Sequence, residues 1–268
     1  MNSHAKRWIT GIIAVPLLFV VILYGSSLLF SIVITLFIVG GVYEYNSMVF
    51  KGKYYWEKTE GLAIAFLIPL SAYFGGVQLM CATVTFSFII VFLLFLMRMK
   101  NGLADLAALT RVVFGFMYIP LLISYIIPLR SSDNGTTWVF FVIFAAFVGD
   151  SSAFYAGRSM GKTKLMPAVS AGKTVEGAIG SIVGTLLGCL LFKILFFHDL
   201  PVIHSIMLGF LVSIVGQLGD LCESSLKRIS MVKDSGSILP GHGGILDRVD
   251  SLSFMIPLVY YYSVLVIR

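Results

Sequence analysis

Long apolar runs leave this chain few ways to fold. Nine of them, at about 8–24, 27–43, 61–75, 77–97, 112–129, 138–156, 176–197, 203–221 and 249–267, occupy most of its 268 residues. A bilayer core about 30 Å thick takes roughly 20 apolar residues as a helix. In lipid each backbone N–H and C=O has to be satisfied inside the protein, which a helix does within its own segment. Only 12% of residues are charged and mean hydropathy is +0.97, where soluble domains carry about 25% charge. The sequence thus predicts an all-α polytopic integral membrane protein with about nine transmembrane helices. One membrane domain is expected over 1–268, with N-terminal helices in 1–148 and catalytic helices and loops in 149–268. Pro16, Pro69, Pro120 and Pro257 lie inside runs, which membrane helices tolerate because neighbours re-satisfy the freed backbone.

Charge orients the chain. With a cytoplasmic N-terminus and nine crossings, all but three of the 19 lysines and arginines fall on the inner side; Arg130 and Arg268 lie outside and Lys193 sits within the seventh run. The net charge of +6 therefore reads as topology rather than as a nucleic-acid footprint. Lys6-Arg7 ahead of the first run looks like the start of a signal peptide. That run ends in Leu23-Tyr24-Gly25-Ser26, without a small-x-small cleavage pattern, so a retained first helix is expected. The inner loops hold the length, charge and glycine, which puts the active site at the cytoplasmic face. Cys81, Cys189 and Cys222 are scattered and odd in number, and His4, His198, His204 and His242 do not cluster. They suggest neither a disulfide framework nor a zinc site.

One polar stretch, Gly219 to Asp250, interrupts the apolar pattern. Ser213, Gln217, Asp220, Ser224 and Lys227 recur at helical spacing, within about 40° of one line. An aspartate in a span costs about 2.5–3.5 kcal/mol, so such residues are usually functional. Asp247, Asp250 and Ser251 share a face where the ninth run begins. Carboxylates from two helix ends meeting at one depth would suit a hard cation such as Mg²⁺; salt bridges to Arg228 and Arg248 are the other use for them. Between the helices lie Lys233-Asp234-Ser235-Gly236 and Leu239-Pro240-Gly241-His242-Gly243-Gly244. Glycines let backbone approach a ligand, and a loop ending at a helix N-terminus offers N–H groups to an anion. With Lys227, Arg228, Lys233 and Arg248 nearby, the implied ligand is phosphate.

A second polar segment, Gly149 to Gly177, repeats the theme with Asp150, Arg158, Lys162, Lys164 and Lys173. Gly157–Thr163 is one residue short of a P-loop, and Gly172-Lys173-Thr174 lacks the upstream glycine; neither follows a strand, which excludes a P-loop NTPase. Lys173-Thr174 still sets a cation at a helix N-terminus, and Glu176 suits that end of the helix dipole. Gly177, Gly180, Gly184 and Gly188 form a small-residue face for close packing, inside the bundle or between subunits.

The run S-x-L-K-R-x4-K-D-S-G-x3-P-G-H-G-G-x-L-D-R-x-D-S, ending at Ser251, resembles the signature of phosphatidate cytidylyltransferases, of bacterial type. Where relatives read S-P-x-K-T-x-E-G, this chain has Ser170-Ala171-Gly172-Lys173-Thr174-Val175-Glu176-Gly177. The resemblance implies transfer of cytidylyl from CTP to phosphatidate in the plasma membrane, with Mg²⁺ in a two-metal site and a homodimer. It implies Asp220 and Asp247 as metal ligands. Lys227, Arg228, Lys233, Asp234, His242, Arg248 and Asp250 would be catalytic, and Lys173, Ser224, Gly243, Gly244 and Asp150 would bind substrate. Another lipid phosphate as acceptor, or a polytopic transporter, are the alternatives; a transporter would carry its charges near the midplane.

Overall fold

The computed structural model describes residues 16–52, 54–100, 102, 104–238 and 243–267. Residues 16–24 are helical (α1), and α2 (Ser27–Val49), α3 (Tyr55–Lys100) and α4 (Leu106–Arg130) follow. Next come α5 (Gly135–Met160), strands β1 (Lys164–Met166) and β2 (Ser170–Thr174), α6 (Val175–Phe196), α7 (Val202–Ile229) and α8 (Leu246–Ile267). Seven helices, α2 to α8, are long and apolar enough among the described residues to cross a membrane. Of the span expected at 8–24, residues 8–15 lie outside the described residues and 16–24 form α1. α3 bends at Gly75 (φ −140°, ψ 19°) and Gly76 (φ 59°, ψ −155°), so its two arms correspond to the runs expected at 61–75 and 77–97. In α4 the helix widens to a π-turn over Met117–Leu121, around Pro120, which absorbs the missing N–H of the proline.

The chain divides into two compact units. The first holds the described residues up to Ser131 together with Val232–Arg248; the second holds Ser132–Met231 and the residues from Val249 on. In the first, α2 packs on α3 and α4. Tyr45 fills the space left by Gly115 and donates its hydroxyl to the Arg111 carbonyl at 2.9 Å. Ile38, Ile68, Ile119 and Leu129 are buried in the core of the same unit. Arg98, at the end of α3, bridges Glu57 at 3.0 Å and also pairs with Glu60, closing the two arms at their polar ends. Asp105 caps α4 through the Ala107 N–H at 2.9 Å and accepts from the Tyr54 hydroxyl at 2.8 Å. That hydroxyl holds the Asp105 carboxyl below the usual range.

In the second unit, α5, α6 and α7 pack side by side. The glycine face of α6 lies on α5: Gly180 meets Ala156, Gly184 meets Ser152 and Gly188 meets Val148. A Cβ on Gly188 would sit 2.9 Å from Val148, so the spacing of small residues is used within the unit. About 100° round α6 from that face, Ile179, Val183, Leu187, Leu191 and Ile194 are exposed, a lipid-facing stripe. Trp138 stacks edge-on to Phe197 at 4.7 Å, and Phe141 to Phe192 at 5.6 Å. α7 has 28 residues, about 42 Å at 1.5 Å per residue. It outruns the hydrocarbon core, and its last turns carry the polar stripe.

Candidate active site

The β1–β2 hairpin, absent from the sequence expectations, builds one wall of the site. It is antiparallel, with Lys164 opposite Thr174 and Met166 opposite Ser170. Two side chains fix it. Glu176 accepts from the N–H groups of Lys162 and Thr163 at 3.1 Å each, tying the exit of α5 to the first turn of α6. Arg228, from the end of α7, donates to the Val169 carbonyl at 3.0 Å. Thr174 caps α6, its Oγ1 accepting from the Gly177 N–H at 3.1 Å.

So held, β2 directs Lys173 onto α7, where its Nζ pairs with Asp220 Oδ2 at 2.6 Å. Both side chains keep partial access to solvent, 25% and 31%. They line a cavity of about 520 Å³ with Asp150, Arg158, Ser170, Thr174 and Gln217. Gln217 is oriented by the Ser213 carbonyl at 3.2 Å, and Ser224 donates weakly to Asp220 Oδ1 at 3.4 Å. One turn on, Lys227 pairs with the fully buried Glu223 at 2.5 Å. The stripe on α7 is therefore a wall of the cavity and an internal hydrogen-bonded seam together.

Asp250 joins from α8. A Cβ on Gly219 would lie 2.5 Å from the Asp250 carbonyl oxygen, so only glycine lets α7 and α8 close at this level. That approach sets Asp150, Asp220 and Asp250 within electrostatic reach of one another, with Lys173 and Lys227 as the facing cations. Among the described residues no three His, Cys, Asp or Glu side chains converge as a ready-made metal cage. This donor set still fits Mg²⁺, which takes one or two carboxylates and completes its shell with water and substrate phosphate.

The other expected residues lie in the first unit. Asp247 closes the glycine loop: its Oδ2 accepts from the Ser235 N–H (3.1 Å), the Ser235 hydroxyl (2.9 Å) and the Gly244 N–H (2.9 Å). Gly243, at φ +80°, takes the left-handed conformation this closure needs. Lys233, Asp234 and Arg248 are exposed, and His242 lies outside the described residues. Glu44 of α2, which no sequence pattern singled out, is buried against the same loop. The signal that finds it is a lone acid in the last two turns of an apolar helix.

Comparison with known proteins gives the family of the chain. The model of the cytidylyltransferase family matches residues 5–266. The chain belongs to that family. Among its relatives, a phosphatidate cytidylyltransferase of Staphylococcus aureus (strain COL) is 32% identical over 94% of this chain and 96% of its own length. One of Bacillus subtilis (strain 168) is 43% identical, over 56% of each chain, and one of Staphylococcus haemolyticus is 36% identical over 73% and 74%. The aligned part thus spans about half the length of the Bacillus relative. Within the cytidylyltransferase family match fall both polar segments, Gly149–Gly177 and Gly219–Asp250.

Proposed function

We propose that this chain transfers the cytidylyl group of CTP to phosphatidate, giving CDP-diacylglycerol and pyrophosphate. The observation that carries this reading is the Lys173–Asp220 pair at 2.6 Å in a cavity of about 520 Å³, in a chain of the cytidylyltransferase family. An anionic phosphate oxygen of the lipid attacks the α-phosphorus of CTP. A new P–O bond forms there, the bond from the α-phosphorus to the oxygen bridging the β-phosphate breaks, and pyrophosphate leaves with that electron pair. The lipid phosphate is already ionised at neutral pH, so no strong base is needed. Alignment and charge stabilisation carry the rate instead.

Lys173, Lys227, Arg228, Lys233 and Arg248 neutralise the triphosphate and the lipid phosphate. His242 hydrogen-bonds phosphate or the leaving pyrophosphate, while Asp234 and Asp250 orient the charged set. Asp150, Ser224, Gly243 and Gly244 contact substrate. By the motif resemblance Asp220 and Asp247 would each be a Mg²⁺ ligand, and Asp150 and Asp250 beside Asp220 would add to its donor set; the ion when bound supplies neutralising charge. The setting is a bacterial plasma membrane, with nine spans, a cytoplasmic N-terminus and a homodimer. Purified protein given CTP, Mg²⁺ and phosphatidate should release pyrophosphate and CDP-diacylglycerol in equal amounts. No pyrophosphate above a protein-free control would refute the reading, and turnover only with another lipid phosphate would redirect it.

A further inference from the structure

We infer that Glu44 is a positioning residue that holds both flanks of the glycine loop in register for the reaction. The inference rests on the activity proposed above, and its observations lie wholly within the first unit. Glu44 sits on α2 and is 2% exposed. Its Oε1 accepts from the Ile238 N–H at 3.3 Å, on the N-terminal flank of the loop. Its Oε2 accepts from the Leu246 N–H at 3.1 Å, at the first residue of α8. The Ser235 hydroxyl lies 3.5 Å from the same oxygen, but at 2.9 Å from Asp247 its single proton is committed there. Glu44 therefore faces main-chain donors, one on each flank, separated in sequence from it by more than 190 residues.

Two glycines of the loop are shaped to this carboxylate. A Cβ on Gly236 would run into Glu44 Oε1 and Cδ, and one on Gly244 into Ser235 Oγ and Glu44 Oε2. Both positions belong to the run that carries the family resemblance, so the absence of side chains there makes room for Glu44. A carboxylate buried in a membrane helix is costly unless its oxygens are satisfied. Here backbone N–H groups satisfy it, one of them at a helix N-terminus where negative charge is favoured. The device links α2, the loop flank and α8 through main-chain N–H groups.

The test is Glu44→Gln, which keeps size but turns an amide N–H toward one of the two backbone donors. The Ile238 and Leu246 amides should exchange hydrogen at least roughly tenfold faster, the loss of one charged hydrogen bond, with exchange in α6 unchanged. kcat/KM for CTP should fall by a similar or larger factor. Gly236→Ala, which pushes the carboxylate aside without removing its charge, should reproduce both effects; it is the arm that decides if Glu44→Gln does not fold. Unchanged exchange at both amides overturns the inference, as does faster exchange with unaltered kinetics. If the native protein shows no activity toward CTP and phosphatidate, the functional reading fails, and the exchange data alone decide whether Glu44 holds the loop.

Discussion

Lys173 and Asp220 come from segments that are both short of apolar residues and separated by all of α6. Their meeting at 2.6 Å makes each dependent on the other for charge compensation. Asp220→Asn should reduce CDP-diacylglycerol formation by about a hundredfold or more, with insertion and detergent elution unchanged; near-native turnover would remove Asp220 from the site. Lys173→Ala leaves Asp220 beside Asp150 and Asp250 without its nearest cation. It should raise KM for CTP roughly tenfold, measured by initial rates at saturating lipid. Both residues are visible in the sequence, Asp220 as an acid in an apolar helix and Lys173 as a cation before one. Glu44 is not picked out by any motif, because what gives it meaning is a pair of backbone N–H groups some 190 positions away.

At the level of elements, two glycine contacts set how closely helices approach. Gly219 admits the Asp250 carbonyl, and Gly157 lies against Gly177 where α5 and α6 meet beneath the hairpin. Gly219→Ala should separate α7 from α8 and lower kcat by about tenfold or more, since a shift near 1 Å at a catalytic group can cost a hundredfold. A kcat equal to that of the native protein would show that the carboxylates do not depend on this contact. Thr174→Val removes the cap of α6, expected to cost about 1 kcal/mol in thermal unfolding. The apolar runs and the glycine face of α6 are legible because helical period and length determine them. The hairpin is not: its strands have three and five residues, too short for alternation to register, and it is fixed by Glu176 and Arg228 from neighbouring helices. The place of Asp250 beside Asp220 is equally a product of packing, since sequence spacing alone groups it with Asp247.

Over the whole molecule, the membrane dictates where chain can turn. α3 reverses within Gly75-Gly76, and Gly76, at φ 59° and ψ −155°, occupies a region open essentially to glycine alone. Gly76→Ala should therefore lower stability by about 1–3 kcal/mol, read as the loss of folded protein on heating in detergent. Topology is testable by labelling single cysteines in a background without Cys81, Cys189 and Cys222. Asp199→Cys should react from outside intact cells and Lys162→Cys only after permeabilisation; the reverse pattern would invert the orientation. The contact between Lys173 and Asp220 also bears on how a ligand would enter under the proposed function. With its ammonium already matched by a carboxylate, an incoming polyphosphate would displace a partner rather than meet an idle charge, as on an ion-exchange resin. The carboxylate so released would then be open to a counter-cation, and anion and cation would load as a couple, each tightening the other by the same factor.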